Sequence, residues 1–462
     1  MKVVPEWRVY ALGATICVAL TICARNFGDR GGPIFIASLT LAGIAYLLAV
    51  REFFATQRFP RRVVVIAIVL AFVWQIEFLR VPAGADDDVH RYVWDGRLQR
   101  LGYNPYLVVP SDPAVKELHT PETRSLNNPD LPSPYPPGAQ LFFRAVTAFH
   151  ESTFAFKAAF VVCEIAITLL LLDLLRGKQG AHLVLAFAWN PLLAVEVAGS
   201  GHIDIVGALL LAASAAALVR RWRATAAVTL GIAIAVKFLP IVLLPLYWKR
   251  VRIRDAALAA AVVALLYVPF LDHGHIPTGS LGTYLQTFRF NGPVFAILHR
   301  VAPPQLLAAV ALLVGLATAT WLRSREANCA RQRVITTDST KSHDDEATGF
   351  PPCHSVSSVF HASTFAWPMA VSLLFAPVVF PWYLLWLLPF LTSASTLLII
   401  IWTVSIIPTY IQWHLRALGR PWGALPGWAM LPEYGCVAIA AAIIALRRIN
   451  RPATTAPGGP VP

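Results

Sequence analysis

Asp86, Asp87 and Asp88 stand side by side and are followed at once by His90 and Arg91. Adjacent carboxylates repel one another while the neighbouring cations attract them, so such a cluster takes up a proton at neutral pH. That is the chemistry of a general base, which accepts a hydroxyl proton as the oxygen attacks. A solvated acidic turn or a helix N-cap fits the charge alone equally well. The rest of the segment up to Gly138 is dense in proline and aromatic residues: Gly102-Tyr103-Asn104-Pro105-Tyr106, Asn127-Asn128-Pro129-Asp130-Leu131-Pro132 and Tyr135-Pro136-Pro137-Gly138. Rigid turns that present aromatic faces beside amides and acids suit a sugar ring, whose CH faces stack and whose hydroxyls need partners. Tyr92, Trp94, Asp95, Asn104 and Tyr135 are therefore substrate-binding candidates, and a mere connector of this length would need no such order.

Chemistry at a developing anion needs cations, and Arg91, His202, Lys237 and Arg289 are the candidates. Lys237 interrupts an apolar run, where an ionisable group costs roughly 2.5 to 3.5 kcal/mol, so it is paired, functional or a snorkelling turn lysine. Asp204 beside His202 suits either a ligand contact or a helix cap. Trp382, Tyr383 and Trp386 fit a substrate path, and they also fit the aromatic belt of any membrane interface.

The elements that must position these groups are membrane helices. The chain has 462 residues, 57% hydrophobic and 14% charged, too apolar for a soluble domain. Apolar runs approaching 20 residues recur along its length and match the thickness of a bilayer core. The expected fold is an all-α integral membrane bundle of about 12–14 segments, some broken, with a large first outer loop carrying short helices. Lys2 and Arg8 before Val9 to Ala24 resemble a signal peptide, but Ile22-Cys23-Ala24 is a poor cleavage site, so an uncleaved first helix is expected.

With a cytoplasmic N-terminus, basic clusters at residues 51–62, 176–178, 220–223, 249–254, 323–333 and 447–451 all fall on one side. That places residues 80–138 and the turn 199–202 on the other. The stretch from Ala224 to Trp248 must then cross an even number of times, as a hairpin turning at Lys237-Phe238-Leu239-Pro240. Further single helices are expected at His182 to Ala198 and at Pro304 to Leu322. Four parts result: an N-terminal membrane block, 1–322, with its outer loop 80–138; a cytoplasmic polar loop, 323–361; a C-terminal membrane block, 362–449; and a disordered tail, 450–462.

The segment from Asp87 to Gly96, with Gly-Tyr-Asn-Pro-Tyr and Tyr-Pro-Pro after it, resembles the first outer loop of the polyprenyl-phosphate-dependent glycosyltransferases of the C superfamily, particularly their bacterial mannosyltransferase-like members. Gly201-His202-Ile203-Asp204, Val236-Lys237-Phe238-Leu239-Pro240 and Phe380-Pro381-Trp382-Tyr383-Leu384-Leu385-Trp386 are similar to later signatures of that group, in the same order. The resemblance implies an inverting transfer of a hexose, mannose favoured, from a polyprenyl-phosphate donor to an acceptor hydroxyl. An acidic residue of the first loop then serves as base, which falls here on Asp87 or Asp88 with Asp86 as neighbour. Two positions depart from the pattern: His90 stands where the group usually has Tyr, and Phe380 where it usually has His.

Other classes fit less well. The net charge of +13 lies in short clusters between apolar runs rather than on a basic face with interleaved aromatics, which argues against nucleic acid. No Gly-rich phosphate loop follows a strand, so a nucleotide-sugar donor is not expected. Six cysteines, four of them in apolar runs, imply no disulfide framework. Cys353 with His343, His354 and His361 has no zinc spacing. The carboxylate cluster could hold a divalent metal, but three acids in a row rarely aim at one ion, so none is indicated, and no cofactor is assigned from the sequence. A transporter or lipid-linked sugar flippase would carry its ionisable residues near the bilayer midplane, and a non-catalytic assembly factor would tolerate loss of the loop carboxylates. Expected partners are membrane lipid, the polyprenyl-phosphate sugar and a glycan, lipid or protein acceptor. The expected location is the cell membrane, with the site facing the extracytoplasmic side.

Overall fold

A computed structural model describes residues 5–56, 59–84, 87–176, 180–338, 363–423 and 425–449. Asp86, the Cys353 and His354 group and the tail 450–462 lie outside them. The described chain is a helical bundle, with eight helices long and apolar enough to cross a membrane: a multi-pass membrane protein. Three shorter apolar helices, Asp204–Val219, Arg223–Val236 and Ser363–Phe375, and one bent pair complete the set.

Helices α1 (Glu6–Arg25) and α2 (Pro33–Ala55) form the first hairpin, and α3 (Arg61–Val73) continues through α4 (Gln75–Arg80) as one span. At one end of the bundle Arg62 pairs with Glu6, Arg8 with Glu52, Arg220 with Asp173 and Arg250 with Glu326. The turn after α1, the segment after α4 and the turn before Asp204 lie at the opposite end. The basic residues of these pairs, which belong to the clusters at the helix ends, thus lie at one end of the bundle, as membrane orientation rules expect.

The first large loop leaves the bundle at α4, whose last carbonyls have no helical partner. The buried Lys157 of α7 (Thr153–Arg176) supplies one, donating to the carbonyls of Phe78 at 2.8 Å, Leu79 at 3.3 Å and Val81 at 2.6 Å. An ammonium is thereby satisfied inside the bundle, and the chain is aimed toward Asp87. Helices α5 (Asp88–Arg100) and α6 (Pro137–Phe149) then pack together, so close at Gly96 that a Cβ there would meet the Phe143 carbonyl at 2.5 Å.

The chain differs from the expected spans in two places. The run from His182 to Ala198 is no single helix: Ala181–Ala188 and Leu193–Gly199 meet at 65°. Asn190-Pro191 sits at the break, where Pro ends one hydrogen-bond ladder and the Asn190 side chain accepts from Leu192 N at 3.1 Å. The helix beginning at Pro304 runs on to Asp338, past the apolar end at Leu322, because polar helix formers continue it once it leaves the membrane. The hairpin expected at Lys237 is present: Arg223–Val236 stops at Lys237, whose backbone is extended, and short turns from Leu239 to Tyr247 lead back.

Candidate active site

Asp87 caps α5 with extended backbone (φ −69°, ψ 140°), but its carboxylate faces inward. One oxygen is ion-paired with Arg30, from the turn between α1 and α2, and the other accepts from Gly84 N at 2.7 Å. Arg30 is buried, donates to Ser200 Oγ at 2.5 Å and lies 5.2 Å over the Trp413 ring. Both Asp87 oxygens are thus committed to holding the loop against the bundle. Asp88, one residue on, accepts from the Asn127 amide at 2.6 Å and lines an open cavity of about 690 Å³. Tyr135 neighbours it; burial and then the Asp88 charge raise the Tyr135 pKa well above its ordinary value, so the phenol stays a neutral donor.

The hairpin turn brings Lys237 to the same cavity, where its ammonium bonds both oxygens of Asp204 at 2.8 and 3.0 Å and lies 4.0 Å over the Tyr383 ring. Asp204 is fully buried and also accepts from Trp386 Nε1 at 2.7 Å. That approach requires Gly207, because a Cβ there would sit 1.9 Å from the Trp386 ring. Tyr383 shares a 2.6 Å hydroxyl contact with Tyr284.

Between these groups His202 stacks on Trp382 (ring centroids 4.0 Å apart, 9° between planes), Trp382 on Phe380 (4.3 Å, 7°) and Phe380 on Phe290 (4.5 Å, 24°). The phenyl ring at position 380 is thus a stacking layer in the cavity wall, where no hydrogen-bonding side chain stands.

Of the candidates from sequence, Asp87, Asp88, Arg91, Tyr135, His202, Lys237, Trp382, Tyr383 and Trp386 line this cavity. Arg91 does so as a loop clasp: it donates to the carbonyls of Leu131 at 3.0 Å, Asn127 at 2.9 Å and Asn128 at 2.7 Å. The remaining candidates are not cavity walls. Tyr92 stacks on Phe143 at 4.4 Å, Trp94 stacks on His119 at 4.1 Å, and Asn104 donates to the Phe270 carbonyl at 2.8 Å. Asp204 acts behind Lys237, and Arg289 donates to the carbonyls of Phe288 and Gln286 next to it in the chain. Arg30, Asn127, Tyr284, Trp413, Arg416 and Trp422 line the cavity and were not read from sequence. Among the described residues no three His, Cys, Asp or Glu side chains gather as a metal-binding group.

Asp95 is fully buried, with Oδ2 accepting from Ser133 Oγ at 2.5 Å and from Gln140 Nε2 at 2.9 Å. Burial raises its pKa to about 6, against the pull of Arg91, Ser133 and Gln140. The unfolded chain releases this proton near the ordinary 3.8, so stability is fully present below that pH and is lost as pH rises through about 6. Asp95→Asn is expected to match wild type in thermal unfolding at pH 3 and to exceed it at pH 7 by about 3 kcal/mol. A wild-type-like pH profile in the variant would place the titrating group elsewhere.

The chain is thus a multi-pass helical bundle with a cavity at one end, walled by carboxylate, ammonium and aromatic rings. Residues 19–251 match a family model described as alpha-(1->6)-mannopyranosyltransferase, N-terminal domain, and the chain belongs to this MptA_B family. The match covers Asp87, Asp88, His202 and Lys237, and the chain is a glycosyltransferase. No curated protein and no solved structure matches the chain.

Proposed function

We propose that the cavity transfers mannose from a polyprenyl-phosphate donor to an acceptor hydroxyl, with inversion, on the extracytoplasmic face of the membrane. The observation that carries this reading is that Asp88 and Lys237 line one cavity whose wall continues into the apolar side chains Phe238, Leu239, Leu281, Leu285 and Phe288. An isoprenoid tail needs such a wall, and the phosphate at its head needs the cations beside it. Asp88 accepts the proton of the attacking hydroxyl, while the bond from the anomeric carbon to the phosphate oxygen breaks and its electron pair leaves with the phosphate. Phosphate is a good leaving group, so the site supplies a base and positive charge rather than a strong acid. The position of the site opposite the basic clusters supports the extracytoplasmic side. No divalent metal is assigned a role in the reaction.

The family description names an α-(1→6) linkage. A single inversion producing that linkage requires a β-linked mannosyl phosphate. Purified protein given β-linked polyprenyl-phosphate mannose and a mannoside acceptor is expected to form an α-linked product, read from the anomeric NMR signals. GDP-mannose in its place is expected to give none. Transfer from GDP-mannose alone, or a β-linked product, would overturn the donor class or the stereochemistry respectively.

A further inference from the structure

We propose that His202 is the phosphate-binding group of the cavity, with its Nε2 as the donor to a lipid-linked phosphate and Glu196 as the residue that positions and charges it. This rests on the lipid-phosphate reading above and adds the atom that holds the anion. His202 follows a turn made by Gly201, whose φ of +74° few other residues adopt, and its backbone N donates to the Glu196 carbonyl at 2.9 Å. Nδ1 then lies 2.8 Å from Glu196 Oε2, and the other Glu196 oxygen accepts from the Tyr410 hydroxyl. Trp382, stacked flat on the imidazole, fixes its plane. The ring is almost wholly buried and lines the cavity, yet among the described residues Nε2 has no hydrogen-bond partner. One nitrogen is therefore held by a carboxylate, which leaves the other to meet a ligand.

The tautomer decides which ligand. With the proton of a neutral imidazole on Nδ1, in close contact with the Glu196 carboxylate, Nε2 is only an acceptor, whereas an imidazolium offers a second N–H. Burial alone would lower the His202 pKa, but Glu196, then Asp88 and Asp204, outweigh it and raise it. A charged donor at this place suits a phosphate oxygen. The charged and titratable groups around the ring are Glu196, bonded in turn to Tyr410; Asp88 and Asp204, the latter paired with Lys237; Arg30, paired with Asp87 and bonded to Ser200 two residues before His202; and Lys157 against the Gly201 turn.

The test is binding of polyprenyl phosphate to the purified full-length protein, followed by tryptophan fluorescence between pH 6 and 8 for wild type, His202→Gln and Glu196→Gln. The ionisation of the phosphate itself affects all three proteins alike, so differences between them isolate the imidazole. His202→Gln is expected to bind about tenfold more weakly at pH 6 and to lose the imidazole-dependent part of the pH profile. Glu196→Gln, which keeps the ring, is expected to bind like wild type at the acid end and to weaken at a lower pH. It therefore serves as the reading if His202→Gln does not fold. Wild-type affinity of His202→Gln at every pH, or an unshifted profile in Glu196→Gln, overturns the assignment and leaves the donor reading standing. Failure of wild type to bind polyprenyl phosphate at all overturns both.

Discussion

Asp88→Asn lowers kcat/KM for sugar transfer by about 10³-fold, with folding and polyprenyl-phosphate binding preserved, because the amide keeps the shape of the carboxylate but accepts no proton. The Asn127 contact survives the change, since the remaining carbonyl oxygen still accepts that amide N–H. Asp87→Asn behaves differently. It removes the charge that faces buried Arg30, so its principal effect is a lower unfolding temperature and a loosened first loop, at a cost of about 3 kcal/mol. Measuring transfer rate and thermal stability for both variants separates a base from an anchor. If Asp88→Asn transfers at the wild-type rate, the base is another group, and Asp86 is then the first to replace.

The bundle was legible in the sequence because the length of an apolar run is a strong and local signal. The hairpin at Lys237 was legible for a second reason: two basic clusters cannot lie on one side of a membrane unless the chain between them crosses an even number of times. The bend between Ala181–Ala188 and Leu193–Gly199 was hidden by a continuous apolar run, although Asn190-Pro191 was a visible breaker. The site was harder to read. The residues after Asp88 have the types of ligand groups one by one, but they form a helix buried on nearly every side, so Tyr92, Trp94 and Asp95 serve packing. Arg91 and Arg289 are cations by type, and only the fold shows the backbone carbonyls that occupy them. Arg30 escaped notice because its partner Asp87 lies 57 residues away, and only the closed bundle brings the two together.

Lys237 and Asp204 give the second large effect, and a double substitution divides it into its parts. Lys237→Met leaves the Asp204 carboxylate buried with Trp386 as its remaining hydrogen-bond donor, so the variant is expected to lose about 3–5 kcal/mol of stability and much of its folded yield. Adding Asp204→Asn removes that uncompensated charge while an amide oxygen still accepts from Trp386, and most of the stability should return. Activity should not return with it if the Lys237 ammonium at the cavity wall assists His202 in offsetting the phosphate charge, because the double variant lacks that cation. Transfer is expected to stay below wild type by about 10²-fold or more at saturating acceptor. The decisive measurement is kcat/KM for the donor in the double variant, normalised to folded protein. A return of both stability and rate would make the pair a structural clasp and leave the phosphate to the remaining cations. A return of stability alone assigns Lys237 to the chemistry, because no folding defect then remains to explain the missing rate.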